Sequence, residues 1–230
     1  MSLPVTQVAW KPSWRIIPSR FPPIQLFERV TPPDDLEAIF AVESLTNPRL
    51  RDEVGDIRLV PPKDRVSGPG SSIIMAAFTH LNSAGSRFTD GTYGVFYAAN
   101  SLDTAIAETT YHRERFMRAT AEVRMELDMR VYLIDLAASL HDLRGRKTEF
   151  PIVYHNENYT AGQHLAATLR KEGSNGIAYD SVRHNGGECA AVFRARLLSN
   201  CRQERHLCYV WDGQRITAVY EKRGLGDGAR

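Results

Sequence analysis

Seven of the twelve prolines stand within the first 33 residues, at positions 4, 12, 18, 22, 23, 32 and 33. This cluster constrains the fold more than any other feature, because each proline lacks a backbone N–H, fixes φ and drives the preceding residue out of the helical region. Helices are excluded there, and the stretch is expected to wrap the body as an extended arm. Beyond it the local signals diversify. Leu36, Ile39, Phe40 and Leu45 at helical spacing, behind an acidic first turn and ahead of Asn47-Pro48, predict a helix. Residues 55–72, with Pro61-Pro62 and Gly68-Pro69-Gly70, read as a loop long enough to serve as a lid, followed by a buried element over residues 73–78.

The centre of the chain is sharper. Residues 93–99 form a short apolar strand pattern, and Ser101 or Asp103 can cap a helix over residues 104–117. Apolar and charged residues alternate over 121–128 and strand character continues to Asp135, which predicts sheet with one wet face. A helix over 160–172 ends at Gly173, strands over 176–181 and 189–197 flank Gly186-Gly187, and a strand or hairpin follows over 207–220. The class is α+β: one domain with mixed or antiparallel sheet and flanking helices. The expected division is an extended arm (1–26), a catalytic domain (27–222) and a flexible tail (223–230).

Charge excludes some functions. With 29 Lys+Arg against 27 Asp+Glu the net charge is +2, too balanced for a dedicated nucleic-acid or membrane-surface binder, so any anionic ligand must be held locally. The start of the chain has no uninterrupted apolar run, which makes the cytoplasm the expected compartment. Cys189, Cys201 and Cys208 form no metal-binding spacing and read as packing residues; no metal is expected. GxGxxG and GxxxxGK[ST] signatures are absent.

What remains is a group that can share one end of a sheet: Arg87, Tyr97 in the strand, and Glu108 in the second turn of the following helix. A carboxylate among small and apolar neighbours is either a partly buried charge that needs a partner or a solvated face. His112 lies one turn beyond Glu108, where it either orients that carboxylate or lies on the surface. Arg183 and His184 are within reach of the same region, and the arginines from 113 to 130 alternate with glutamates as a solvated face would. Cys189 has no base beside it in sequence.

The stretch Ser86-Arg87-Phe88-Thr89-Asp90-Gly91-Thr92-Tyr93-Gly94-Val95-Phe96-Tyr97-Ala98-Ala99, followed by Ser101 and Thr104-Ala105-Ile106-Ala107-Glu108, resembles the core of the RES-domain family. Arg29 in Phe27-Glu28-Arg29-Val30 and Ser181 in Tyr179-Asp180-Ser181-Val182 complete the arginine, glutamate and serine that name the family, over roughly residues 27–195. Ser86-Arg87-Phe88 replaces the commoner Gly-Arg-Trp. The long gap between Arg29 and Arg87 leaves Arg15 and Arg20 beside Arg29 as the upstream arginine.

The resemblance implies a toxin of a bacterial toxin–antitoxin pair, similar in fold to ADP-ribosyltransferase toxins, that consumes NAD+ as substrate. It also implies a helical Xre-like antitoxin as partner, expected to cover the pocket mouth through the 55–72 loop, and is compatible with a homodimer. By the same resemblance Arg29, Arg87, Tyr97, Glu108 and Ser181 line the dinucleotide pocket. Glu108 would stabilise the positive charge that develops on the ribose, Arg29 and Arg87 would hold the pyrophosphate, Tyr97 would stack on a base, and Ser181 would donate to ribose or phosphate. The activity implied is that of an NAD+ glycohydrolase or phosphorylase. The alternatives are a mono-ADP-ribosyltransferase and a non-catalytic module that binds nucleotide or antitoxin.

Overall fold

The structure, a computed structural model, describes residues 3–19 and 55–224. The helix expected over residues 34–46, both Arg20 and Arg29, and the end of the tail lie outside the described residues.

Seven strands are present among the described residues: β1 (Val5–Pro18), β2 (Phe96–Ala99), β3 (Met125–Asp142), β4 (Gly176–Asp180), β5 (Glu188–Val192), β6 (Leu198–Trp211) and β7 (Ile216–Lys222). They form one sheet in the order β1-β2-β5-β4-β3-β6-β7, and β1 also pairs with β3. The sheet therefore closes on itself through β1, β2, β5, β4 and β3. Only the short β3–β4 contact is parallel. Among the described residues three α-helices flank it: α1 (Ser71–Thr79), α2 (Leu102–Ala119) and α3 (Thr160–Lys171).

β1 is extended, as its prolines require, but it is a strand of the sheet rather than an outer wrap. It pairs antiparallel with β3 from Val5↔His141 to Pro18↔Met129, and its ladder shifts between Trp10 and Ser13, around Pro12. Pro4 precedes the strand and Pro18 ends it, so the prolines fall where the ladder can spare a donor. Ser13 Oγ donates to the Ile134 carbonyl (2.7 Å) beside the bulge.

Side-chain alternation splits the core in two. Val8, Phe96, Ile134, Leu136, Ala178, Ala190 and Val192 face α1 in one apolar cluster. On the other side Ile16, Val131, Ile177, Tyr179, Cys189 and Ala191 pack with Ala105 of α2 and with Ala166 and Leu169 of α3. β2, β4 and β5 are thus buried on both faces, which explains their continuous small apolar runs. The alternation over 121–128 does not bury one face as expected: Val123 is 77% and Met125 41% exposed, and the strand starts only at Met125. Arg130, expected on a solvated face, is buried, and its Nη2 donates to the Ser19 carbonyl. Among the described residues no helix is long and apolar enough to cross a membrane.

The fold depends on β1 for one full edge of β3. Removal of residues 1–18 is expected to leave a chain without a cooperative thermal unfolding transition, checked by calorimetry of the truncated protein. A sharp transition within a few degrees of the parent would contradict this role.

Candidate active site

β2 ends at Ala99 and α2 starts at Leu102, so the helix springs from the sheet with only two residues between. Ser101 caps it, its Oγ accepting from Thr104 N (3.3 Å). The first turn is anchored to its neighbours: Asn100 Oδ1 accepts from Glu188 N (3.2 Å), and Thr104 Oγ1 lies 2.8 Å from His184 Nδ1. With Thr104 and Ala105 buried against the sheet, the next position on that face of the helix is Glu108, which is half-buried.

Ser181, buried at the end of β4, donates from Oγ to Glu108 Oε1 at 2.6 Å. The same oxygen accepts from Arg183 N (3.0 Å) and His184 N (2.9 Å). A hydroxyl has one donor and two acceptor positions, so all three are used. The structure thus brings Ser181 and Glu108 together, but leaves Ser181 no capacity for ribose or phosphate; it orients the carboxylate. No donor among the described residues engages Glu108 Oε2. Cys189 Sγ lies 3.9 Å from Oε1, and burial, with the nearby carboxylate, holds this thiol well above its ordinary pKa, so it stays protonated and is not a nucleophile.

Arg87 enters on the loop before β2. The loop is pinned by Tyr97, whose hydroxyl pairs with Ser86 Oγ (2.7 Å) and accepts from Phe88 N (3.0 Å); burial pushes the pKa of this phenol up. Tyr97 is therefore committed to placing Arg87, and only its half-buried ring is left for a ligand. Gly162 of α3 permits the close approach on the other side, since a Cβ there would lie 2.4 Å from the Arg87 carbonyl. The Arg87 guanidinium donates from Nη1 to the carbonyls of Val153 (2.8 Å) and His155 (3.0 Å) and stacks on Tyr159 at 4.7 Å. Its Nε and Nη2 make no hydrogen bond among the described residues. Arg87 and Glu108 both act electrostatically on Tyr179 and on Cys189, which puts the two on one side of the sheet.

Arg15 is placed elsewhere. Its guanidinium stacks on Phe96 at 4.3 Å, and Phe96 belongs to the cluster under α1, on the face opposite Glu108. The 55–72 loop packs on that face too, with Ile57 and Val60 in the same cluster. A recess of about 260 Å³ next to it, lined by Asp64, Tyr93, Arg170 and Arg194 among others, contains none of the candidate residues, and its Asp64 is already paired with Arg194 and Arg196.

Around Glu108 the structure adds Arg115 and Tyr159 to Arg183 and His112, which the sequence already placed within reach. Arg183 stacks on Tyr111 at 3.3 Å and donates from Nη2 to the Asn156 carbonyl. Arg115, expected on a solvated face, approaches the Tyr159 ring at 5.9 Å. His112 keeps an exposed edge, yet loss of water around its ring, and then Arg183, Arg113, Arg87 and Arg115, lower its pKa to about 4. Among the described residues Arg87, Arg115 and Arg183 have no carboxylate partner. The only sequence signal for Arg115 was its place two helical turns from Glu108. Among the described residues no group of three or more His, Cys, Asp or Glu could hold a metal ion.

A carboxylate with one oxygen held and one open, near guanidinium groups that lack counter-charges, suits an anionic ligand that develops positive charge beside the carboxylate. The family model of the RES domain matches residues 63–212. The chain belongs to the RES-domain family. It is 32% identical over 219 residues to an uncharacterized protein, y4oC, of Sinorhizobium fredii (strain NBRC 101917 / NGR234), covering 94% of this chain and 90% of that one. A chain of the M. tuberculosis MbcT–MbcA toxin–antitoxin complex shows 8% identity and a TM-score of 0.48, covering 91% of this chain and 87% of that one.

Ser181→Ala should lower the unfolding free energy by about 1–3 kcal/mol, because Glu108 and two backbone N–H groups lose their partner together; urea titration measures it. His112 protonates near pH 6.5 in the unfolded chain but near 4 in the folded one. The folded state is therefore progressively penalised as pH falls from 6.5 towards 4 and is unaffected above 6.5. The drop in melting temperature between pH 7.5 and pH 5 should be larger for the parent protein than for His112→Gln.

Proposed function

We propose that this protein is the toxin of a toxin–antitoxin pair and that it cleaves the nicotinamide–ribose bond of NAD+. The observation that carries the reading is the half-buried Glu108, fixed through Oε1 by Ser181 at 2.6 Å and open at Oε2, close to guanidinium groups without carboxylate partners. Membership of the RES family supports the toxin assignment, a helical antitoxin as partner and the likeness to ADP-ribosyltransferase toxins.

Nicotinamide in NAD+ is already cationic, so it leaves with the electron pair of the C1′–N bond and requires no general acid, unlike the leaving group of an ordinary glycoside. One carboxylate then suffices. Glu108 Oε2 faces the ribose and stabilises the oxocarbenium-like charge more than the ground state, which is the condition for acceleration. Ser181 prevents the carboxylate from turning away, and its own donor stays engaged throughout. Arg87 offers Nε and Nη2 to the pyrophosphate as a planar fork. Water as acceptor yields ADP-ribose, nicotinamide and one proton; phosphate would make the enzyme a phosphorylase, and a protein side chain a mono-ADP-ribosyltransferase.

Glu108→Gln retains shape and removes the charge. It is expected to reduce nicotinamide release by about 10²–10³-fold or more and to abolish growth arrest on expression. Product analysis after incubation with NAD+, with and without phosphate, identifies the acceptor. Growth arrest that survives Glu108→Gln would instead favour the non-catalytic binding module.

A further inference from the structure

We infer that Arg115 and Tyr159, with Arg183 on Tyr111 between them and Glu108, form the subsite for the adenosine half of the dinucleotide, and so select a dinucleotide over a mononucleotide. This rests on the reading above and adds the residues that recognise the part of the substrate remote from the bond that breaks.

The argument starts from the helix. Tyr111, His112 and Arg115 stand three, four and seven residues beyond Glu108, so all four share one face of α2, and Arg115 lies about 10 Å along the axis from Glu108. Exposure rises along this stripe: Glu108 and Tyr111 are half-buried, His112 and Arg115 exposed. In the opposite direction the way is closed, because Thr104 and Ala105 are buried and the Ser101 cap is tied into the 181–187 turn through Thr104 and His184. Among the described residues, the open direction along this face of α2 runs from Glu108 towards Arg115.

Charge follows the same line. Arg87, Arg183 and Arg115 all act on His112, and among the described residues none of the three is balanced by a carboxylate. Other cations of this helix are accounted for: Arg118 pairs with Glu114 at 2.7 Å, and Arg113 stacks on Phe116 at 5.4 Å. Phosphates leaving the ribose meet Arg87 and Arg183 first. The group beyond them meets Arg115 and the Tyr159 ring, which are 5.9 Å apart. That is a loose spacing for a guanidinium on a ring, and an exposed arginine can shift to admit a planar purine, which stacks on both partners.

The test compares NAD+ with nicotinamide mononucleotide, which carries the same scissile bond and one phosphate but no adenosine. In Arg115→Ala the ratio of kcat/KM for NAD+ to that for the mononucleotide should fall at least tenfold, chiefly through the KM for NAD+, and Arg115→Lys should recover only part of it. A ratio within twofold of the parent would overturn the subsite. ADP binding by calorimetry provides a readout independent of turnover and should weaken about tenfold in Arg115→Ala; equal binding would also overturn it. Failure of the parent protein to release nicotinamide from either substrate would overturn the proposed reaction instead, with the ADP measurement still deciding the subsite.

Discussion

A carboxylate set halfway into the seam between a helix and a sheet is stable only if something donates to it, and here that donor is the Ser181 hydroxyl, 2.6 Å from Glu108. Most of the site serves this one contact. Ser181 is held by two backbone N–H groups of its own turn, and its N–H donates to the Gly187 carbonyl (2.8 Å). Gly187 in turn leaves room for Thr104 and His184, since a Cβ there would fall 2.4 Å from Thr104 Oγ1. Outside the turn, Lys147 Nζ donates to the Ser181 carbonyl (3.2 Å), while Arg144 joins Asp142 to Glu188. The result is a carboxylate whose orientation is set before any ligand arrives, which is what electrostatic stabilisation of a transient cation demands.

The second constraint is charge that is not neutralised. Several arginines elsewhere on the molecule sit beside carboxylates, as Arg196 does with Asp64 and Arg205 with Glu221, while Arg15 and Arg170 lean on the rings of Phe96 and Tyr93. Near Glu108 the arginines lean on tyrosine rings and main-chain carbonyls, which hold a guanidinium in place without cancelling its charge. These charges add to the larger effect of burial in lowering the pKa of His112. A balanced chain with a net charge of +2 can therefore carry a locally cationic region, because what matters is where the carboxylates are absent.

Much of the fold was legible because it rests on local rules. The Ser101 cap, the helix it starts, the α3 helix that stops before Gly173 and the hairpin at the end of the chain follow from capping, periodicity and turn chemistry. Depth was less legible. The proline-rich start is extended, but nothing in its sequence states that β3 needs it as a partner over its whole length. Arg130 reads as a solvated residue and is buried, since its environment includes β1 and Ser19. Of the site, Arg87 and Glu108 lie in one block whose order could be read, whereas Arg115 and Tyr159 are separated in sequence by the whole of β3.

The sequence by itself determined the α+β class, the positions of most elements and the family to which the chain belongs, because propensities, caps and short motifs act over a few residues. Tertiary structure alone decided the face on which each arginine emerges. Arg15 lies under α1, away from the site, while Arg183 and Arg115 reach it. Strand side chains alternate and the sheet closes on itself, so register and closure, which depend on residues a hundred positions apart, choose between the two sides.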